Sequence, residues 1–405
     1  MELVEEQCPQ GVIFETLGDV GSFIRGNGLQ KSDLTDGGAP AIHYGQIHTY
    51  YGTWTDHTKS FVDAARAAKL RRAKSGDLVI ATTSEDDDAV AKATAWLGDS
   101  EAAVSGDAYI FRHRLDPKFV SYFFQTEQFQ SQKRTSITGT KVRRISGDAL
   151  AKIRIPVPPL EIQREIVRIL DTFSELEAEL EAELEARRVQ YAYLRQLLLD
   201  QVEGDSVALA DLGKWQGGVT PSTANSDYWC SDGMPWLASM DVSDTRTNEI
   251  RGRVTALALK ETSLKVIPAP SVAVVMRSNI LRRRLPIGFI TVNTTVNQDV
   301  RALIPRNGVD ADYVYQALCA DSERIRTSCV RTDGSMAAVE SESFFSWEIP
   351  LPSLEVQHRI ADELRIFDAL VNDLTIGLPA EIQARRQQYE HYRDRLLTFK
   401  ELPDE

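Results

Sequence analysis

One helix entry occurs twice in this chain, 194 residues apart. Ile155-Pro156-Val157-Pro158-Pro159-Leu160-Glu161-Ile162-Gln163 returns as Ile349-Pro350-Leu351-Pro352-Ser353-Leu354-Glu355-Val356-Gln357. In a chain of 405 residues, that period means one fold used twice, and any fold class must accommodate it.

The first entry leads into a proline-free, leucine-rich segment. Pro158 and Pro159 suit a helix start, because first-turn residues have no intrahelical use for an N–H. Ile166, Leu170, Phe173, Leu176, Leu180, Leu184, Tyr191, Leu194 and Leu198 then recur at spacings of three, four or seven, a continuous apolar stripe. At 1.5 Å per residue, Leu160 to Leu199 makes a rod of about 60 Å. One stripe on so long a rod calls for a partner rod. The second copy offers one through Ile360, Leu364, Phe367, Leu370, Leu374, Leu378, Ile382, Tyr389, Tyr392 and Leu396. The alternative is a helix lying on an ordinary core.

The rods are unequal. Gly377-Leu378-Pro379 stands where the first rod has only Glu, Leu and Ala, and an interior proline costs about 3 kcal/mol. A break is expected near 377–379, with Pro379 opening a new helix. Before it the register is 194; after it Arg187-Arg188 meets Arg385-Arg386 at 198, so about one turn has been added. The first rod also repeats Glu-Leu-Glu-Ala three times from Glu175 to Ala186. That run reads either as a solvated acidic face or as a ruler whose units each add about 6 Å of helix.

The globular segments ahead of each rod repeat in the same order. Leu17-Gly18-Asp19 is matched to Leu212-Gly213-Lys214, and Pro40-Ala41-Ile42 to Pro235-Trp236-Leu237. Gly76-Asp77-Leu78 is matched to Pro270-Ser271-Val272, Asp116 to Asp310, and Gly139-Thr140-Lys141 to Gly334-Ser335-Met336, all at 194 or 195. Pro40–Ile47 reads as a strand leading to a polar tip, Leu78–Ala81 as a buried strand and Phe119–Phe124 as helical. The plan is a globule over 1–154, a helix over 155–202, a globule over 203–348 and a broken helix over 349–405. The fold class is α+β: two α/β globules separated by two long, paired antiparallel helices, with a pseudo-two-fold internal repeat.

The net charge of −13 argues against nucleic acid only if it is evenly spread. Residues 156–202 hold 5 Lys/Arg against 10 Asp/Glu, and 350–405 hold 7 against 11, so the rods carry most of the excess. The start Met1–Glu6 is acidic and lacks the apolar core of a signal peptide. No apolar run is long enough to span a membrane. Cys8, Cys230, Cys319 and Cys329 lie far apart, which fits reduced thiols in a cytoplasm.

The sequence offers little that could be catalytic and no spacing typical of a metal site. Gly26-Asn27-Gly28 lacks the rest of a dinucleotide fingerprint and reads as a turn. His43, His48 and His57 are spaced as loop or strand residues, and Glu85–Asp88 reads as a solvated acidic loop. No Asn- or Asp-Pro-Pro-aromatic motif, which amino-methyltransferases use to hold a target amine, occurs. Basic residues cluster instead: Lys69, Arg71, Arg72 and Lys74; Lys133 and Arg134; Lys141, Arg143 and Arg144; Arg277; Arg282, Arg283 and Arg284; Arg324, Arg326 and Arg331. Such clusters neutralise phosphates, and Arg reads guanine edges bidentately. Thr82-Thr83-Ser84 aligns with Met276-Arg277-Ser278, followed by Asn279. Tyr44-Gly45-Gln46 aligns with Ser239-Met240-Asp241. Polar loop tips that differ between copies suit two readers of different sequences. Ordinary divergent loops are the other reading.

Taken in order, the repeated Leu-Gly opening, the Gly-Thr/Ser turn, the Ile-Pro-x-Pro-x-Leu-Glu-x-Gln entry and Glu165–Asp171 make the chain resemble the specificity subunit of a type I restriction–modification enzyme. The resemblance implies two target recognition domains, each reading half of a bipartite site in double-stranded DNA. It implies rods that act as spacer and as docking surface for two methyltransferase subunits. Those partners bind S-adenosylmethionine and methylate adenine; no cofactor is expected in this chain. Separate motor-nuclease subunits complete the restriction complex. The rivals are a stand-alone methyltransferase and a scaffold or regulator of the methyltransferase that binds no DNA.

Overall fold

The computed structural model describes residues 8–403 except 244, 245, 248, 249 and 374, with 246 and 247 described by backbone alone. The acidic start Met1–Glu6 and the stripe residue Leu374 lie outside the described residues. The chain forms two compact units. The first comprises Met1–Glu179 and Gln383–Glu405, the second Leu180–Ile382.

In the first unit a five-stranded sheet runs in the order Gly21–Arg25, Ala108–His113, Leu78–Ala81, Ala93–Trp96, Trp54–Thr55. Leu78–Ala81 is apolar at every position, so both faces of this central strand need cover. Leu78 and Ile80 enter the core shared with Phe111, Phe119 and Phe123. Val79 and Ala81 face the opposite way, to Ile42, Trp96 and Val104. The second of these cores lies against a four-stranded sheet ordered Ser60–Val62, Ala39–Ile42, Ala102–Val104, Arg72–Ala73.

The second unit repeats this plan with Gly213–Gly217, Val300–Pro305, Ser271–Val275, Ile287–Ile290 and Arg246–Thr247. Val272 and Val274 join one core, Ala273 and Val275 the other. A three-stranded sheet of Gly252–Val254, Trp229–Leu237 and Thr295–Val296 covers the latter.

One anchor of the repeat moves. The Leu17 N–H donates to the Ile153 carbonyl (2.8 Å), and the Leu209 N–H donates to that of Trp347 (2.9 Å). Gly21 then pairs with His113, and Gly213 with Pro305. Leu17 therefore matches Leu209, not Leu212, three residues away from the expected register. Gly21 and Gly213 are the true mates. A Cβ would lie 2.5 Å from the Arg112 carbonyl oxygen at one and 2.2 Å from that of Ile304 at the other.

The twice-used Gln explains the repeated helix entry. The Asp116 N–H donates to Gln163 Oε1 (2.9 Å), and Gln163 Nε2 donates to the Pro158 carbonyl (2.8 Å). Asp310, Gln357 and Pro352 form the same pair of bonds, both 2.8 Å. Gln163 and Gln357 are 3% and 0% exposed, so each bridges globule and helix inside the core. Gln163→Ala should lower the unfolding free energy by about 2–3 kcal/mol, because two buried backbone groups lose their partners. Denaturant midpoints of Gln163→Ala and Gln357→Ala test this, and unchanged midpoints would remove the bridging role.

The first long helix spans Leu160–Asp200, and its mates are Leu354–Asn372 and Leu378–Leu396. The expected break begins four residues early, at Asp373. This residue is extended, and its carboxylate accepts the Thr375 and Ile376 N–H groups, which competes with helix continuation. Gly377 lets the turn close, since a Cβ there would lie 2.4 Å from the Ala369 carbonyl oxygen.

Within the first unit Phe173 stacks on Tyr392 (centroids 5.5 Å) and Glu177 pairs with Arg386, so the helices run antiparallel. Leu170, Leu184, Tyr191 and Leu364 are buried; Phe173, Leu176, Leu180, Phe367 and Tyr389 are half-buried. Leu370, expected in the stripe, is 39% exposed, because a 3.6-residue helix drifts off a seven-residue spacing. Among the described residues no helix is long and apolar enough to cross a membrane.

The polar contacts between globule and helix are inverted from one unit to the other. Lys118 Nζ meets Asp171 Oδ2 at 2.7 Å, while the Tyr122 hydroxyl donates to Asp171 Oδ1 at 2.7 Å. The positions 194 residues on are Asp312 and Arg365, and they also pair, at 3.1 Å.

Candidate nucleic-acid interface

The strand Leu78–Ala81 leaves its sheet and continues as Thr83–Ser84. There it pairs antiparallel with Arg143–Arg144, Ser84 opposite Arg143 and Thr83 opposite Arg144. A hairpin arm presents those arginines. It is closed by reciprocal bonds between Thr138 and Arg144 (2.9 and 2.8 Å). Gly139 turns it with φ +94°, and a Cβ there would strike the Val142 carbonyl oxygen at 2.1 Å.

The second unit builds the same arm. Arg277 bridges Ala338, the Ser278 N–H donates to Ala337 O (3.0 Å), and the Val339 N–H donates to Met276 O (2.8 Å). Thr83 and Arg277, like Arg144 and Ala338, are 194 residues apart. The geometry is shared and the side chains are not.

Several expected readers have other work. Thr83 is 7% exposed beneath the arm rather than at a loop tip. Tyr44 and Gln46 belong to the helix Tyr44–Thr49, not to a polar tip. His43 caps that helix, Gln46 Oε1 accepts the His43 N–H, and Gln46 Nε2 donates to Ser60 Oγ (2.7 Å). Arg143 is half-spent: its Nε meets Asp87 at 2.8 Å and its Nη1 donates to Gly139 O. Lys133 is 0% exposed, with Nζ donating to the Asp88 and Val90 carbonyls at 2.9 Å each, so it leaves the surface cluster altogether. The acidic loop is thereby tied down, with Asp88 also 3.6 Å from Arg134.

Lys141 and Arg144 are exposed on the first arm, and Ser84 is half-buried, with Oγ accepting the Asp86 N–H. His48 Nε2 lies 2.9 Å from the Thr83 carbonyl, which fixes that nitrogen as the donor. Burial draws the His43 and His48 imidazoles below their usual pKa, so both are neutral at pH 7.

In the second unit Ser278 caps the turn Asn279–Arg282 through its side chain. Arg282 braces the arm by donating to Thr332 O and Gly334 O, both 2.8 Å. Asn279, Arg283 and Arg284 are exposed beside it, and Ser239 is half-buried in the turn after Trp229–Leu237. Arg277 Nε donates to Asp299 Oδ1 at 2.7 Å. Asp299 went unread in the sequence, although it precedes a buried strand as Asp107 does, 192 residues earlier. Among the described residues no group of three or more His, Cys, Asp or Glu could hold a metal ion.

Two copies of one α+β plan, each with an arm on the same strand end, define a duplicated recognition protein. The family model described as "Type I restriction modification DNA specificity domain" matches residues 9–186 and again 202–384. The chain belongs to that family. It is 42% identical over 262 residues to the EcoR124I/EcoR124II specificity subunit of Escherichia coli, a match covering 63% of this chain and 65% of that protein. It is 30% identical over 175 residues to the MjaIX specificity subunit of Methanocaldococcus jannaschii, covering 42% and 39%. The chain thus spans less than two thirds of either relative. A solved chain from a study of complex assembly and conformational transition in the type I system aligns over 96% of this chain and 98% of its own, with TM-score 0.65 at 18% identity. The S subunit from M. genitalium aligns over 97% and 96%, with TM-score 0.51 at 14% identity. At those identities the likeness is one of fold.

Proposed function

We propose that this chain is the DNA-reading subunit of a type I restriction–modification complex and carries no catalytic group of its own. Each unit reads one half of a bipartite site in double-stranded DNA. The long helices set the unread spacer and dock two methyltransferase subunits, which supply S-adenosylmethionine and adenine methylation. Restriction subunits join through that complex, in the cytoplasm. The observation that supports this reading best is the arm built twice on equivalent strand ends with different side chains, Thr83 and Arg144 in one, Arg277 and Ala338 in the other. A shared frame with divergent contacts is what two base readers need.

Selection from randomised duplex DNA by the complex with its methyltransferase subunits tests the reading. Two short fixed elements separated by an unread gap are expected. No enrichment would favour the scaffold reading, and methylation by this chain alone would favour the stand-alone enzyme.

Deleting Glu179–Ala182 should shorten the gap by about two base pairs, from 6 Å of helix against 3.4 Å per base pair, and leave both half-sites unchanged. An unchanged gap in the methylated sites would leave those acidic residues as a solvated face.

A further inference from the structure

The geometry points to Arg277 as the reader of a guanine in the half-site of the second unit, held in pose by Asp299. The inference rests on the DNA-reading function proposed above. Asp299 Oδ1 takes the Arg277 Nε at 2.7 Å. That contact uses the inner nitrogen of the guanidinium. Among the described residues no bond occupies its two Nη groups, and the side chain is 54% exposed against 17% for Asp299.

The carboxylate is itself fixed. Its Oδ2 accepts Gln298 Nε2 at 3.2 Å, and Gln298 Oε1 accepts the Thr220 hydroxyl at 2.6 Å. The Met276 N–H donates to Asp299 O at 2.8 Å, and the Asp299 N–H to Asn297 Oδ1 at 3.0 Å, so the backbone is fixed too. An arginine pinned at Nε with its outer fork facing solvent has lost much of its rotamer freedom before binding. That fork matches guanine O6 and N7 bidentately, the commonest specific contact in the major groove. A lysine could carry the charge there but not the fork.

The surroundings suit a duplex. Asn279 and Arg283 are exposed beside Arg277, and Arg282 holds the arm against it through Thr332 and Gly334. The first unit lacks this device at the equivalent place. Thr83 stands where Arg277 does, buried under its arm. Among the described residues the ion pair of Asp107, the counterpart of Asp299, is with Arg25 of the neighbouring strand, at 3.9 Å. The guanine is therefore assigned to one half-site alone.

The test is selection from randomised duplex DNA by the full chain with its methyltransferase subunits. Parent, Arg277→Ala, Arg277→Lys, Asp299→Asn and Arg283→Ala are compared at one salt concentration and then across a salt series. The parent should fix a guanine at one position of one half-site. Arg277→Ala and Arg277→Lys should each relax that position by about tenfold or more, since both lose the bidentate contact. Asp299→Asn should relax it by a few-fold. The other half-site, selected by the same molecules, should stay as in the parent, which also reports correct folding. Arg283→Ala should weaken binding to all sequences and flatten its salt dependence without changing the motif. An Arg277→Ala chain that selects the parent motif would overturn the inference while leaving the DNA-reading function intact. Relaxation at a base other than guanine, or in both half-sites, would also overturn it. A parent that enriches no sequence would instead overturn the function on which it rests.

Discussion

Asp171→Arg should lower the unfolding free energy by about 3 kcal/mol, and Lys118→Asp in the same chain should return most of the loss. Asp171 sits on the first long helix with its side chain 22% exposed, facing Lys118 at 20%. An arginine there meets a lysine at a site that water screens poorly. It also removes the acceptor of the fully buried Tyr122 hydroxyl. Breaking a buried pair from one side costs about 3–5 kcal/mol, and we take the low end for partial exposure. The rescue has a template in the same molecule, because Asp312 and Arg365 already form the reversed pair in the same register. Recovery should be incomplete, since Tyr122 keeps a hydroxyl without its acceptor. Urea midpoints of the single and double variants decide the matter. A double variant no more stable than Asp171→Arg would show that charge is not what matters there.

The second large effect is one of pH. Burial is the main cause that pulls the Lys133 ammonium down from 10.5 to about 8. Below pH 8 both folded and unfolded chains are protonated there, and the folded state bears the cost of a buried charge. Between 8 and 10.5 the unfolded chain binds more protons than the folded one, so this group makes stability rise with pH. The full shift of two to three pH units corresponds to about 3 kcal/mol. Relative to Lys133→Met, which cannot titrate, the parent should therefore gain about 3 kcal/mol between pH 7 and pH 10.5. Parallel denaturation curves at pH 7, 8.5 and 10 measure the difference. A gap independent of pH would mean that Lys133 stays charged when folded.

Much of the architecture was readable because its signals are local and doubled. Leu78–Ala81 and Val272–Val275 are apolar throughout, which marks central strands. Gln163 and Gln357 recur because each must bridge a globule to its helix. What escaped the sequence depends on contacts between distant segments. Nothing near Lys133 announces that the Asp88 and Val90 carbonyls, more than forty residues earlier, will surround its ammonium. Tyr44-Gly45-Gln46 continues a strand pattern, and only the reciprocal cap between His43 and Gln46 turns it into a helix. Thr83 reads as a polar tip until the arm from Thr138 to Arg144 folds over it. The Leu-Gly opening misled by three residues, because two similar leucines compete and only the carbonyls of Ile153 and Trp347 choose between them. Among the candidate readers the cluster around Arg277 was legible as charge, whereas its support by Asp299 was not.

The first unit borrows its last piece from the far end of the chain. Leu397 is 0% exposed in the same core as Ile166 and Leu170, and Val12 exchanges backbone bonds with Lys400 and Leu402. During synthesis the whole of Leu180–Ile382, about 200 residues, emerges between the two parts. At about 5–20 residues per second the ribosome needs about 10–40 s to deliver the closing segment. For that interval the earliest-made core stands open along Ile166 and Leu170, whereas the later unit is one continuous stretch and is complete once Ile382 is made. A message truncated shortly before Gln383 would therefore damage the oldest part of the protein and spare the newest.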